Sequence, residues 1–280
     1  MKDERKATSA VGVWRELVVI GAVATSALAL VACDDKKTDS AENTEPSATA
    51  AATVAPTPPP APSASAAPDE APKKHELKDC KPGKVVDFDG NTALEANVRL
   101  KLTKPEGDIM VSDLAKVRSV NVSQAKTDEL DVCIYPHFTG LKELFLGAGK
   151  LDDLTPIAGL HNIESLRASL NHVADVKPLA QMTKMDRLDL GHTMITDLTP
   201  LKDMAGLTDL QIDDTLVGDL TPLANCKNLE RLSIQRTAVK SLAPLKDMTK
   251  LKFLYVSGAP IEDKPVLSPL VAKGLKIIDE

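Results

Sequence analysis

The sequence predicts an α/β solenoid, a stack of short coils whose strands all run parallel in one sheet. Three observations predict it. First, Leu141, Ile163, Met185, Leu207, Leu229 and Leu251 stand 22 residues apart, and self-similarity at a fixed short period is the signature of stacked architectures. Second, each interval repeats one internal spacing, L-x-x-L-x-L, then an apolar residue five positions on, then apolar residues at every third position. Leu207, Leu210, Ile212, Val217, Leu220, Leu223, Cys226 and Leu229, Leu232, Ile234, Val239, Leu242, Leu245, Met248 show it in successive units. Third, aromatic residues make up only 2% of the chain, so its core must be filled by aliphatic side chains, as ladders of leucine in a repeat stack can do.

The two periodicities assign the parts of a unit. L-x-L has period two, which is a short strand with one face buried. The spacing of three after the turn suits a short helix or 3-10 turn. Thr155-Pro156, Thr199-Pro200 and Thr221-Pro222 read as helix starts, with threonine as the cap and proline at the first helical position. Lys177-Pro178 and Ala243-Pro244 keep the proline alone. A single unit cannot bury its leucines; stacking buries them all.

The remainder of the chain divides by composition. Residues 1–32 carry Lys2, Arg5, Lys6 and Arg15 ahead of an uncharged apolar run over residues 17–32, a length that suits a signal-peptide core and falls short of the roughly 20 apolar residues that span a bilayer. Leu30-Val31-Ala32-Cys33 closes that run and resembles the lipobox of bacterial lipoproteins. The resemblance implies lipidation of Cys33, cleavage before it, and a lipid-anchored protein facing the periplasm or exterior. An uncleaved anchor or a plain secretory signal are the other readings of the same run. Residues 33–78 are almost all Ala, Pro, Ser, Thr and charged residues, and offer too little apolar surface to offset the entropy of ordering, so a disordered tether is expected.

Residues 79–116 lie between the tether and the repeats and carry Leu94, Val98 and Leu100. Residues 117–262 hold the repeats, starting with a weaker copy at Val117, Val120 and Val122. Residues 263–280 form a C-terminal cap, read as a closing helix over 266–273 and a last strand over 275–278.

On these motifs the region from about residue 91 onward resembles the leucine-rich-repeat family, specifically the 22-residue bacterial type of internalin-like proteins. The resemblance implies a right-handed solenoid with a parallel concave sheet, short helices or 3-10 turns on the convex side, and a helical N-terminal cap over residues 79–116 around Leu94, Val98 and Leu100. It also implies that a protein partner binds the concave face. The ninth position of each unit, often asparagine in the family, is Asn171 in one unit and Thr193, Thr215 and Thr237 in others; a threonine hydroxyl can also bond the backbone.

In such a stack the exposed strand residues line up in columns, with neighbours about 4.8 Å apart. The third position gives Glu143, Ser165, Arg187, Asp209, Arg231 and Phe253; the fifth gives Phe145, Arg167, Asp189, Gln211, Ser233 and Tyr255; the eighth gives Ala148, Leu170, His192, Asp214, Arg236 and Gly258. Phe145, Phe253 and Tyr255 with Arg167, Arg187, Arg231, Asp189, Asp209 and Gln211 are the candidate partner-binding residues, because aromatics and arginine dominate interface hot spots. Mutual neutralisation of Arg167 by Asp189, and of Arg187 and Arg231 by Asp209, is the competing reading of the same charges.

The rest of the inventory narrows the function classes. A net charge of −6 argues against nucleic acid as a partner. The aspartates Asp153, Asp175, Asp197, Asp219 and Asp263 read as turn caps and not as a calcium ladder, and Asp87-Phe88-Asp89-Gly90-Asn91 lacks the glycine and glutamate placement of a calcium loop. No catalytic residue, metal site or cofactor is assigned: His192 has only Asp214 as a rung neighbour, with no nucleophile in the column. Cys226 sits where other units hold leucine or methionine and reads as a buried filler. Cys80 and Cys133 are expected to form a disulfide outside the cytoplasm, tying the cap to the first coils. The expected function is a membrane-tethered, monomeric, protein-binding module. A structural or adhesive envelope role and an envelope hydrolase are the alternatives.

Overall fold

The computed structural model of the chain describes Cys80 and residues 83–279. The segments read as a signal and a tether, with Cys33 between them, lie outside the described residues. Eight strands, each three residues long, form one parallel sheet in simple sequential order. They are β1 (Ser119–Asn121), β2 (Glu143–Phe145), β3 (Ser165–Arg167), β4 (Arg187–Asp189), β5 (Asp209–Gln211), β6 (Arg231–Ser233), β7 (Phe253–Tyr255) and β8 (Lys276–Ile278). From β2 to β7 each residue pairs with the one 22 positions later, as Leu166 with Leu188 and Leu188 with Leu210. The sheet register is therefore the sequence period itself.

The central residue of each strand from β2 to β7, Leu144, Leu166, Leu188, Leu210, Leu232 and Leu254, is at most 2% exposed. The residues at the following apolar positions, such as Ile212, Val217, Leu220 and Leu223, are fully buried with them. Each such side chain contributes roughly 1.5–3 kcal/mol on leaving water, and it can leave only because coils lie above and below.

The segments after the turns are 3-10 turns: Thr155–Ile157, Lys177–Leu179, Thr199–Leu201, Thr221–Asn225 and Ala243–Leu245. Proline stands at the start of each, where its missing N–H costs nothing. The capping expected of threonine falls to aspartate instead. Thr155, Thr199 and Thr221 are themselves the first residues of their turns, and the carboxylates of Asp153, Asp197 and Asp219 accept their backbone N–H at 2.7–2.8 Å. Asp175 does the same for Lys177. The physical reason is reach: an aspartate two residues ahead closes an Asx turn onto the first free N–H, which a residue inside the turn cannot do.

The ninth-position residues are buried and bonded as their chemistry allows. Thr193, Thr215 and Thr237 each donate a hydroxyl to the carbonyl three residues back, at 2.7 Å. Asn171 accepts Leu151 N–H from the preceding coil and donates to the carbonyls of Gly147, Ala168 and Ser169.

The N-terminal side of the sheet is closed by α1 (Thr92–Leu102) and α2 (Val111–Leu114). Asn97 of α1 imitates a strand: its amide donates to Asn121 carbonyl and accepts Asn121 N–H, covering one edge pair of β1. The Asp87–Asn91 segment is the turn that starts α1, with Asn91 Oδ1 accepting Leu94 N–H. Cys80 and Cys133 are joined by a disulfide, their Cα atoms 5.3 Å apart. Cys226 is a buried free thiol that burial pushes up to about 11. At the C-terminal side the 3-10 turn Lys264–Leu267 runs into α3 (Ser268–Val271), a shorter helix than expected, and then into β8.

Candidate functional site

The side chains that alternate with the buried leucines stand on the open face of the sheet, and the register puts them in two straight columns. Glu143, Ser165, Arg187, Asp209, Arg231, Phe253 and Lys276 form one; Phe145, Arg167, Asp189, Gln211, Ser233, Tyr255 and Ile278 form the other. All the sequence-predicted site residues on the sheet are thus on one face. Phe145, at β2, and the pair Phe253 and Tyr255, at β7, belong to opposite ends of it.

The electrostatics of the columns are specific. Arg167 Nε lies 3.2 Å from Asp189 Oδ2, and Ser169 Oγ bridges them, accepting from Arg167 and donating to Asp189. Asp209 meets Arg231 at 3.7 Å, whereas Arg187 turns to Asp186, its own chain neighbour, at 3.6 Å. The three-membered row Arg187, Asp209, Arg231 expected from spacing is therefore adjacent in register but ion-paired on one side only. A guanidinium has several rotamers to choose from, and Asp186 at the strand margin competes for it. Asp209 is the one carboxylate on this face held above the usual range: burial pushes it up, against the opposing pull of Arg231 and Gln211. Its Oδ1 is buried without a hydrogen-bond partner.

The eighth-position column lies past the strand ends, not within them. Leu170, His192, Asp214 and Arg236 all have φ between 51° and 60°, and Gly258 closes the row at 72°. L-residues adopt this left-handed region at a cost, and four successive rungs doing so, from Leu170 to Arg236, mark a turn imposed by the stack. The row is bonded from rung to rung. Arg236 donates two hydrogen bonds to Asp214, at 2.6 and 2.5 Å, and His192 Nε2 lies 3.3 Å from the same carboxylate. The Arg236 guanidinium holds the Asp214 carboxyl below the usual range.

Two further features escaped the sequence reading. Second-position residues form cross-coil pairs at the strand margin, Lys142 with Glu164 and Lys252 with Glu230, because residues 22 apart are spatial neighbours. Met194 and Leu216, at the tenth position of adjacent units, are 51% and 64% exposed. Their spacing was visible, but the apolar pattern alone does not say which leucines face out. Among the described residues no group of three or more His, Cys, Asp or Glu is placed to hold a metal ion.

A parallel sheet that advances one strand per 22-residue coil, with 3-10 turns behind it, defines the class: this is a leucine-rich-repeat solenoid. Solved structures agree. An internalin (inlF) from Listeria monocytogenes matches with a TM-score of 0.61 and 24% identity over 66% of this chain and 54% of that one. An internalin C2 (inlC2) from the same species matches with a TM-score of 0.60 and 24% identity over 67% of this chain and 92% of that one. The chain thus spans about half the length of the first and nearly all of the second. No protein-family model matches the chain, and no curated protein matches it in sequence.

Proposed function

We propose that this chain is a lipid-anchored module of the bacterial cell envelope that binds a protein partner through the concave face of its solenoid. The carrying observation is the composition of that face. Along two columns it sets arginines, aspartates, Phe253 and Tyr255 in register on a rigid leucine floor, without a nucleophile–base pair among them. A broad, pre-organised, mixed-charge surface with aromatic ends suits a protein ligand. No catalytic role is assigned to any residue.

The anchor rests on the sequence: the apolar run ending in Leu30-Val31-Ala32-Cys33 supplies the lipidation site, and residues 34–78 supply a spacer between membrane and solenoid. The disulfide between Cys80 and Cys133 is in keeping with an oxidising compartment.

Two experiments test the reading. The Cys33→Ser variant loses fatty-acid labelling; labelling that persists removes the anchor from the account. A partner captured by the chain dissociates from the double variant Arg187→Glu with Tyr255→Ala, and binding that survives it moves the site off this face.

A further inference from the structure

Cations and carboxylates are not matched equally along the open face. Arg167 holds Asp189 at 3.2 Å and Arg236 holds Asp214 at 2.5 Å, while in the third-position column Arg187 and Arg231 reach their acids only at 3.6 and 3.7 Å. The last three strands add an aromatic ring to that looser column. There the register sets Arg231, Phe253 and Lys276 side by side in one column, and Ser233, Tyr255 and Ile278 in the next. The Arg231 guanidinium lies 5.9 Å from the centroid of the Phe253 ring, and the Lys276 ammonium 5.7 Å from the same ring.

Neither cation has a tight partner. Lys276 makes no ion pair among the described residues, and Arg231 has only Asp209 at 3.7 Å. The Arg231 side chain is 49% exposed and that of Asp209 is 23% exposed, the same depths as Arg167 and Asp189. The acid is sunk and the cations stand above it. What this end of the face shows to a partner is positive charge around an aromatic ring, in a chain whose net charge is −6. The adjoining column offers Tyr255 and Ile278, half-buried and uncharged.

We propose that this end of the face, where Arg231 and Lys276 bracket Phe253 beside Tyr255, receives an acidic segment of a protein partner that carries an apolar side chain next to its carboxylate. The inference rests on the reading of the face as a protein-binding surface and adds the chemistry of the ligand. A carboxylate arriving between the two cations displaces no tight internal ion pair, and cations poised over an aromatic ring keep their charge available to it. The neighbouring Tyr255 and Ile278 supply apolar contact within one residue's reach. A uniform polyanion fits poorly, because Asp189 and Asp209 stand on β4 and β5, and Asp213 and Asp214 in the turn just past β5.

The test uses the full chain and three labelled probes: a random glutamate–tyrosine copolymer, polyglutamate, and a random lysine–tyrosine copolymer. The glutamate–tyrosine copolymer binds more tightly than either of the others. Arg231→Glu with Lys276→Glu weakens it by roughly tenfold or more, and Arg167→Ala with Phe145→Ala, at the far end, weakens it less. The charge-reversed variant gains affinity for the lysine–tyrosine copolymer, a gain that misfolding cannot produce.

Failure of the glutamate–tyrosine copolymer to bind, equal binding of polyglutamate, or indifference to the Arg231 and Lys276 reversal overturns the proposal. A larger loss in the Arg167 and Phe145 variant than in the Arg231 and Lys276 reversal instead sinks this assignment while keeping the face as the binding surface. Binding that no variant at either end alters sinks the reading of the face as well.

Discussion

The carboxylate of Asp263 accepts the backbone N–H of Leu242, one coil back, at 2.7 Å, while its other oxygen takes the Ser241 hydroxyl at 2.6 Å. Elsewhere in the stack an aspartate caps its own turn. The unit that starts at Leu229 has Ser241 at that position, whose weaker cap on Ala243 N–H is 3.2 Å long. The next unit's aspartate reinforces it from outside. Asp263→Ala should cost about 1 kcal/mol, as loss of a capping side chain does, and Asp263→Asn less. Urea unfolding of the two variants measures the difference, and an unchanged midpoint in Asp263→Ala would show that the cross-coil cap contributes nothing.

Stability should fall in acid. Asp197 is lowered from 3.8 by the hydroxyl and N–H of Thr199, and Asp214 by Arg236. For Asp263, burial pushes upward, but hydrogen bonds from Ser241, Leu242 and Ala243 win and lower it. A carboxyl depressed in the folded state stabilises fully above its unfolded value and loses that stabilisation as pH falls through the folded value. The unfolding midpoint is therefore flat above about pH 5 and declines below about pH 4. A midpoint that rises on acidification contradicts the assignment.

Asp209 has the opposite sign. Its carboxyl is raised by burial, so the charged form costs stability at neutral pH, and the cost disappears as pH falls through the folded value. Asp209→Asn should raise the unfolding midpoint at pH 7 and lose that advantage in acid. If the variant is destabilised at pH 7, the Arg231 pair outweighs burial.

Leu210 is fully buried in the middle of the leucine row, between Leu188 and Leu232. Leu210→Ala opens a cavity that flanking coils cannot close without breaking register, and should cost roughly 2–5 kcal/mol. Calorimetry on the variant decides it; a loss below that of an exposed substitution such as Leu216→Ala would mean the row is not the core.

The Cys80–Cys133 bond closes a loop across 53 positions. Replacing both cysteines with serine should cost roughly 2–5 kcal/mol, mainly by freeing the unfolded chain, and the loss should show first as faster proteolysis of the cap around α1. Hydrogen exchange confined to coils remote from the cap would contradict this.

Most of the fold was readable because its order is linear. A 22-residue period in Leu141, Ile163, Met185 and their successors is at once a sequence pattern and the sheet register, so columns such as Arg167 beside Asp189 could be written down in advance. Where the reading went astray, the choice was local and three-dimensional. Whether threonine or aspartate caps a turn depends on which oxygen reaches the N–H. Whether Arg187 pairs with Asp209 or Asp186 depends on a rotamer, and periodicity is silent on both.

By itself the sequence determined that aliphatic side chains recur at intervals only a stack can bury, and hence which residues share a face. Only the tertiary structure decided how deep each charge on that face lies. Asp209 is sunk while Arg231 and Lys276 stand out, and the eighth-position column turns left-handed from Leu170 onward. Burial depth is a property of neighbouring coils acting together, and no single repeat encodes it.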